Sequence, residues 1–597
     1  MPRAADAHDW FPRTQSLALT LTRWPSVTGT DGEARFGARL RDLLAGWPHF
    51  RQHPQDLWLS PVTGPSGGGG AAQPDGPGQP LPANVFALVR SGGAADTVVL
   101  SGHYDTVGTG PYGPLAELAT EPEALTRALI QELERRADPA RLTDGAQSAA
   151  QPLRHAEALA LADLRSGDFL AGRGLLDMKG GLAAGLAVLE RYAALPDWQR
   201  PVNLLLVASP DEENLSRGAR GAASQLGGLC AGPDGLRVRL GINLDATNDV
   251  GTGADGQAAY LGTVGKVPVT ALVVGRATHA SYPFDGTSAA LIAAELLRRV
   301  EGHPDPEGPH PEEPGTGGPD THTADTRGTQ APPPVCLELR DDRDRYDVTT
   351  PAQVWCAFNV LTYRRGPQDV LDQFMTLAAH AAQEALGTLA AQAARWGSAS
   401  AAGLAAQRAL ILSFAQLRAL AAGRAGETAV QSVITAVPPG PDPLRASRTI
   451  TQQLVALAAL EGPAVIVGLG AVYYPHTRVS DELHASLNAE LTRFSQQTGY
   501  EVRVRPAFDG ISDMSFLGHV LTPADQAALA AQTPHPDHLG GPHGTAAAFP
   551  TINVGPWGRD YHQKLERIHR PYSFGALPEL LWRLLHCADW PSQTDPA

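Results

Sequence analysis

Cysteine is scarce: the 597 residues hold four, Cys230, Cys336, Cys356 and Cys587, with no CxxC pair among them. That excludes a disulfide framework and a thiolate zinc ribbon, and the four read as reduced thiols of a cytoplasmic protein. Long apolar runs are missing as well. None reaches the roughly 18 residues that mark a membrane span, and the charged stretch Met1–Asp9 has no apolar signal region. Basic runs are absent and the formal net charge is −15, so neither a membrane nor a nucleic-acid backbone is an expected partner.

What is present can build a large globular protein. Hydrophobic residues make up 43% of the chain, and its length allows about two to four domains. Residues 97–100, 202–208 and 241–245 read as buried strands, with a helix over 182–195. Strand, polar cluster, then helix is the pattern of a mostly parallel α/β sheet. Strands at 83–88 and 97–100 are expected to form a hairpin. Near Gly265 the character changes: strands at 267–274, 336–339 and 354–361 alternate with helices at 287–300 and 367–394. That order predicts a smaller α+β domain inserted into the first. The strand 464–467 is expected to return to the large sheet. The expected division is 1–263, 264–430 and 431–597, with the first and last parts forming one domain. Residues 61–82 and 302–334 are rich in Gly and Pro and read as flexible insertions.

The polar residues just beyond the apolar strands carry the chemistry. Leu100-Ser-Gly-His103-Tyr-Asp105-Thr106 ends a strand, and residues two apart on an extended segment point to the same side. Asp177, the doublet Glu212-Glu213, Asp245 and His562 follow at similar places. Two imidazoles and several carboxylates form a nitrogen–oxygen donor set that suits Zn²⁺, with Mn²⁺ and Co²⁺ as alternatives. So many carboxylates are costly to bury together without a cation. Each residue has a plainer alternative. Asp177 can cap a helix, Glu212-Glu213 can be a solvated strand end, Asp245 can lie on the surface, and Asp513 can cap a helix. His569 and His543 compete with His562. Two decoys fail: Gly251–Gly256 fits GxGxxG but leads into a strand, and Gly262–Lys266 is too short for a phosphate loop.

The set resembles the M20 family of metallopeptidases and amidohydrolases. The motifs are Gly-His103-Tyr-Asp105-Thr, Gly-Arg-Gly-Leu-Leu-Asp177-Met-Lys-Gly, Asp-Glu212-Glu213-Asn, Asp245, Thr278-His279-Ala-Ser and Gly-Pro-Trp-Gly…His562, in that order. Tyr346–Pro351, Phe358–Thr362, Gly510–Asp513 and Arg570–Phe574 resemble an arginine-utilisation branch of the family. The resemblance implies a zinc-peptidase-like catalytic domain with an inserted lid or dimerisation domain. It also implies hydrolysis of an amide or peptide C–N bond in a small amino-acid-derived substrate. The rival is a metal- or amino-acid-binding protein of the same fold that does not hydrolyse.

By the resemblance, Asp177 bridges two divalent ions, and His103, Glu213, Asp245 and His562 complete one or the other. Asp105 orients His103, Glu212 is the general base, and His279 donates to the oxyanion. In family dimers that histidine serves the neighbouring subunit, so a homodimer through the inserted domain is expected. The family also carries a cis peptide after the bridging aspartate, here Asp177–Met178. One departure stands out. Many members carry an Asp-x-Arg pair that helps to bind a substrate carboxylate. Here Asn359 and Leu361 occupy those places, leaving Arg364 as a weak substitute.

Overall fold

A computed structural model describes residues 8–62, 81–137, 153–233, 235–249, 256–303, 331–343, 345–438, 442–539 and 547–587. The 145–151 loop, His543 and most of the 61–82 and 302–334 insertions lie outside these.

Eight strands form the larger sheet. Their order across it is Leu57–Pro61, Ala83–Val89, Asn203–Ser209, Asp96–His103, Arg237–Asn243, Thr551–Asn553, Gln257–Tyr260 and Val502–Arg505. Four neighbours in the middle, from Asn203–Ser209 to Thr551–Asn553, run parallel. Their residues are almost all buried, as expected of strands covered on both faces. The expected hairpin does not form. Ala83–Val89 pairs antiparallel with Asn203–Ser209, which lies between it and Asp96–His103.

The helix Gly180–Ala193 packs against the sheet, and residues 180 to 189 are all buried. Its small residues permit close approach. A Cβ on Gly181 would lie 2.0 Å from the Leu244 carbonyl oxygen, so the helix start sits directly against the turn that carries Asp245.

The smaller sheet has five strands, ordered Val335–Asp341, Gln353–Thr362, Gly265–Val274, Ala464–Leu469 and Leu410–Ser413. Alternation along its strands feeds two cores. Cys356 and Phe358 face the helices Ala289–Val300 and Pro367–Trp396. Trp355 and Leu272 face Phe414–Ala425, Glu427–Ala436 and Pro443–Leu457. The strand 464–469 belongs here and not to the large sheet, because it pairs with Gly265–Val274 and Leu410–Ser413. The chain of the smaller sheet therefore runs past residue 430. No described helix is long and apolar enough to cross a membrane.

Candidate metal centre

The four parallel strands end side by side, and their C-terminal ends carry the site, as open α/β sheets place theirs. His103 is the last residue of its strand. Glu212 and Glu213 follow Ser209, Asp245 follows Asn243, and His562 lies nine residues beyond Asn553. Asp177 enters from the turn before the Gly180–Ala193 helix, and the Asp177–Met178 peptide is cis.

The Asp177 carboxylate lies between two imidazoles. One oxygen is 3.1 Å from His103 Nε2 and the other is 3.0 Å from His562 Nε2. His562 Nε2 is also 3.1 Å from Glu213 Oε1. His103 Nε2 lies 3.8 Å from Asp245 and 3.9 Å from Glu212. Donor atoms converge within 4.8 Å in three groups: His103, Asp177 and Asp245; Asp177, Glu213 and His562; and His103, Glu212 and Glu213. Asp177 belongs to the first two, which do not otherwise overlap. Asp177 is thus no helix cap, and neither the glutamates nor Asp245 are solvated surface groups.

Asp105 is fully buried beside this cluster. Its carboxylate accepts the backbone N–H of Glu212 at 3.1 Å and of Glu213 at 3.2 Å, and the Thr28 hydroxyl at 2.9 Å. It lies 3.6 Å from His103 Nδ1, while its backbone oxygen is 3.1 Å from the same nitrogen. One side chain therefore positions both the histidine and the glutamate doublet. Two loops at the site are held in unusual backbone conformations. Asp211 and Ser216 flank the doublet with φ of 67° and 48°, and Asp560 and His562 have φ of 57° and 64°. Such residues cluster where the surrounding structure fixes a functional geometry. Here Arg217 clamps the Asp211 carboxylate, and Arg567 pairs with Asp560.

The electrostatics show what the cluster lacks. Among the described residues, no lysine or arginine lies within salt-bridge distance of Asp177, Glu212, Glu213 or Asp245. Burial pushes Glu212 well above the usual carboxylate range; His103 opposes this, while Asp513, Asp245 and Glu213 add to it. Burial likewise raises Glu213 and Asp245, in each case against a histidine. Asp177 stays low despite burial because His103 and His562 both bond to it. Burial alone would lower His562, but Asp177 and Glu213 bring it up to about 10. Protons on imidazoles and on Glu212 are thus the chain's own means of neutralising the cluster. A pair of divalent cations would take their place. Two neutral imidazoles with carboxylates suit such ions, so the donor set fits a dinuclear centre.

Other expected residues lie elsewhere. His279 is exposed; its Nδ1 accepts the Ser281 N–H, its ring lies tilted beside that of Tyr282, and within one chain it does not join the cluster. His569 sits between Phe169 and Trp557, where burial lowers it to about 4. Asp513 is buried and accepts the Ser209 hydroxyl at 3.0 Å; Ser512 caps that turn instead. Arg364 is exposed beside Tyr363.

Several residues at the site escaped sequence reasoning. Arg173 and Glu566 form a buried ion pair. Glu566 also accepts the Gly174 N–H at 2.9 Å, and Arg173 donates to the His562 carbonyl oxygen at 3.3 Å. The pair ties the Asp177 turn to the His562 loop across nearly four hundred residues, a link with no local signal beyond the Arg in Gly-Arg-Gly. Lys266, Tyr474 and Tyr561 line the cavity over the acids. None of the three carries a local signal, and Lys266 stands out in the sequence only as the end of the Gly262–Lys266 stretch.

The chain is 27% identical over 583 residues to the uncharacterised protein YqjN of Bacillus subtilis, covering 96% of both. It is 24% identical over 596 residues to protein RocB of Bacillus subtilis, covering 95% of this chain and 94% of that one. The solved structure of a tripeptidase from Staphylococcus aureus aligns over 96% of this chain and 97% of its own, with TM-score 0.47 and 14% identity. The pattern of peptidase family M20/M25/M40 matches residues 150–538, well over half of the sequence. This chain belongs to that family, and is a metallohydrolase of it.

Proposed function

We propose that the protein hydrolyses an amide or peptide C–N bond in a small, amino-acid-derived molecule. The observation that carries this reading is Asp177, whose two oxygens face two different imidazoles. His103 with Asp245 would hold one divalent ion, and Glu213 with His562 the other, Zn²⁺ being the best match to the donors and Asp177 being shared. Ions held there would supply Lewis acidity toward the scissile carbonyl and toward a water at the site.

The chain's own residues do the rest. Glu212 stands apart from the two non-overlapping groups, and burial and neighbouring acids strengthen its hold on a proton. It is suited to take a proton from the attacking water and pass it to the departing nitrogen. Asp105 fixes the direction of Glu212 through its backbone N–H. His279 would donate to the oxyanion of a second subunit's site. Supporting this, it lies beside Thr349 near the edge strand Val335–Asp341, whose Val335, Leu337 and Leu339 are 46%, 57% and 47% exposed. An exposed apolar edge invites a second copy. The four free cysteines fit a cytoplasmic setting. The arginine-utilisation motifs favour substrates derived from arginine or related amino acids.

The test is metal analysis together with turnover of a panel of N-acyl amino acids and dipeptides. Glu212→Gln should keep its metal and lose about 10²- to 10⁴-fold in kcat. Unchanged turnover rejects the base, and bound metal without any turnover in the unaltered protein rejects the hydrolase. Sedimentation as a monomer removes His279 from the reaction.

A further inference from the structure

Three parallel strands of the larger sheet each place a small polar side chain in the same row. Ser101, Asn243 and Asn553 are register partners across Asp96–His103, Arg237–Asn243 and Thr551–Asn553. All three are buried. The Ser101 hydroxyl donates to Asn243 Oδ1 at 3.2 Å, and Asn243 Nδ2 donates to Asn553 Oδ1 at 3.1 Å. Asn243 Nδ2 also lies 2.8 Å from the Ser512 hydroxyl, to which it donates. A polar row between apolar faces is costly unless its members are partnered. This one lies two residues before His103 on one strand and two residues before Asp245 on the next.

The row ends on Asp245. Asn553 Oδ1 accepts the Asp245 N–H at 3.0 Å, and Asn553 Nδ2 donates to the Asp245 carbonyl oxygen at 2.9 Å. One side-chain amide thus serves both backbone groups of Asp245, just where that residue leaves the strand and its ladder partners. The carboxylate follows the backbone, because Asp245 Oδ1 accepts the Ala246 N–H at 2.7 Å. The same oxygen stands 3.8 Å from His103 Nε2. The surrounding chain leaves the turn no room to swing. A Cβ on Gly555 would lie 1.8 Å from the Asp245 carbonyl oxygen, and Gly181 closes on the Leu244 carbonyl oxygen from the helix start.

We infer that Asn553 is a positioning residue for one half of the centre: it sets how tightly an ion is held at His103 and Asp245, and not at Glu213 and His562. This rests on the two-ion reading above and deepens it. Asn553 acts through the Asp245 backbone, as groups behind a metal ligand do when they orient it. The other half is held by different contacts. Asp105 accepts the Glu213 N–H, and Arg173 donates to the His562 carbonyl oxygen. A rival role is that Asn553 only joins the strand ends. Its loss would then loosen the sheet edge as a whole and weaken both ions alike.

The experiment titrates Zn²⁺ on the full-length protein against a chromophoric chelator and reads the two stepwise affinities. Asn553→Leu keeps the volume and removes both contacts to Asp245. It should weaken one ion by about tenfold to a hundredfold and the other by less than about threefold. Asn553→Asp keeps the acceptor for the Asp245 N–H and loses the donor, so its loss should be smaller; it carries the same comparison if Asn553→Leu does not fold. Combination with ligand variants identifies the ion. Asn553→Leu should add little to Asp245→Asn and its full factor to His562→Gln, because only the first pair shares a partner. Equal weakening of both ions, no weakening, or a full additional loss on Asp245→Asn overturns the inference. An unaltered protein that binds fewer than two ions rejects the two-ion reading and this inference with it. Uneven weakening in a protein that turns over no amide or peptide sustains the inference and rejects the hydrolase reading alone.

Discussion

The two sheets treat their carboxylates in opposite ways. Acids of the smaller sheet and its helices lie near the surface and meet arginines: Glu295 bonds Arg298 and Arg299, Glu384 pairs with Arg299, and Asp341 pairs with Arg343. At the strand ends of the larger sheet, Asp177, Glu212, Glu213 and Asp245 are crowded and largely buried, and among the described residues only imidazoles lie within salt-bridge distance of them. The first arrangement is ordinary solvation, and each pair adds little. The second is unfavourable for an isolated chain, because like charges are confined in a medium that screens them weakly. A fold keeps such a cluster only where something else supplies the positive charge.

Four changes test that contrast, from the largest effect to the smallest. Asp177→Ala removes the carboxylate shared by both halves of the centre. It should abolish turnover and reduce bound metal to background by elemental analysis, and a variant that retains two equivalents refutes the shared role. Its effect on stability should resemble chelation of the unaltered protein. A metal present at about a thousand times its Kd contributes roughly 4 kcal/mol that chelation removes, readable as a lower Tm.

Glu566→Gln keeps an acceptor for the Gly174 N–H but weakens the buried pair with Arg173. Metal affinity should drop by about tenfold to a hundredfold, as for other groups that orient ligands, with kcat at saturating metal little changed. Competition against a chromophoric chelator measures this.

Glu33 carries the pH dependence. It is buried, accepts the Gly29 N–H at 2.6 Å, and is pushed up to about 8 from an ordinary 4.5, first by burial and then by Asp105. Between those values the folded chain holds a proton that the unfolded chain has released, so stability falls as pH rises from 4.5 to 8. Glu33→Gln stays neutral throughout. It should flatten this part of the Tm–pH curve, with a gain on the order of 2 kcal/mol near pH 8. An unaltered slope would show that Glu33 ionises freely.

On the smaller sheet's surface, Glu295→Gln breaks exposed pairs. It should leave turnover untouched and move Tm by only about 1 °C. A large loss there would erase the difference between the two regions.

Much of the site was legible in the sequence because its residues sit at breaks in apolar runs. His103, Glu212, Glu213 and Asp245 each follow a buried strand, and Asp177 precedes a helix of small residues. Periodicity gave many of the longer helices and strands to within a few residues, including Pro122–Ala137 and Asp481–Thr498, but not the helices Arg217–Ala231, Phe414–Ala425, Glu427–Ala436 and Pro443–Leu457. Neighbour relations were less legible. Ala83–Val89 and Asp96–His103 look like a hairpin in sequence, but Asn203–Ser209 intervenes from far along the chain. Ala464–Leu469 is apolar on both faces, and that pattern suits either sheet. The link between Arg173 and Glu566 and the place of Lys266 had no local signature, because each depends on segments brought together only in the folded chain.

The sequence by itself determined the chemistry that was available: imidazoles and carboxylates at strand ends, no thiolate cluster, and two bodies of secondary structure with different rhythms. It could do so because side-chain type and hydrophobic period are local properties. The tertiary structure decided which acids share a centre, that Asp177 stands between two histidines, that His279 lies outside the donor cluster of its own chain, and that one lysine lines the same cavity as the acids. Those facts follow from how parallel strands are ordered and how two sheets meet, and contacts between distant segments leave no periodic trace in a single chain.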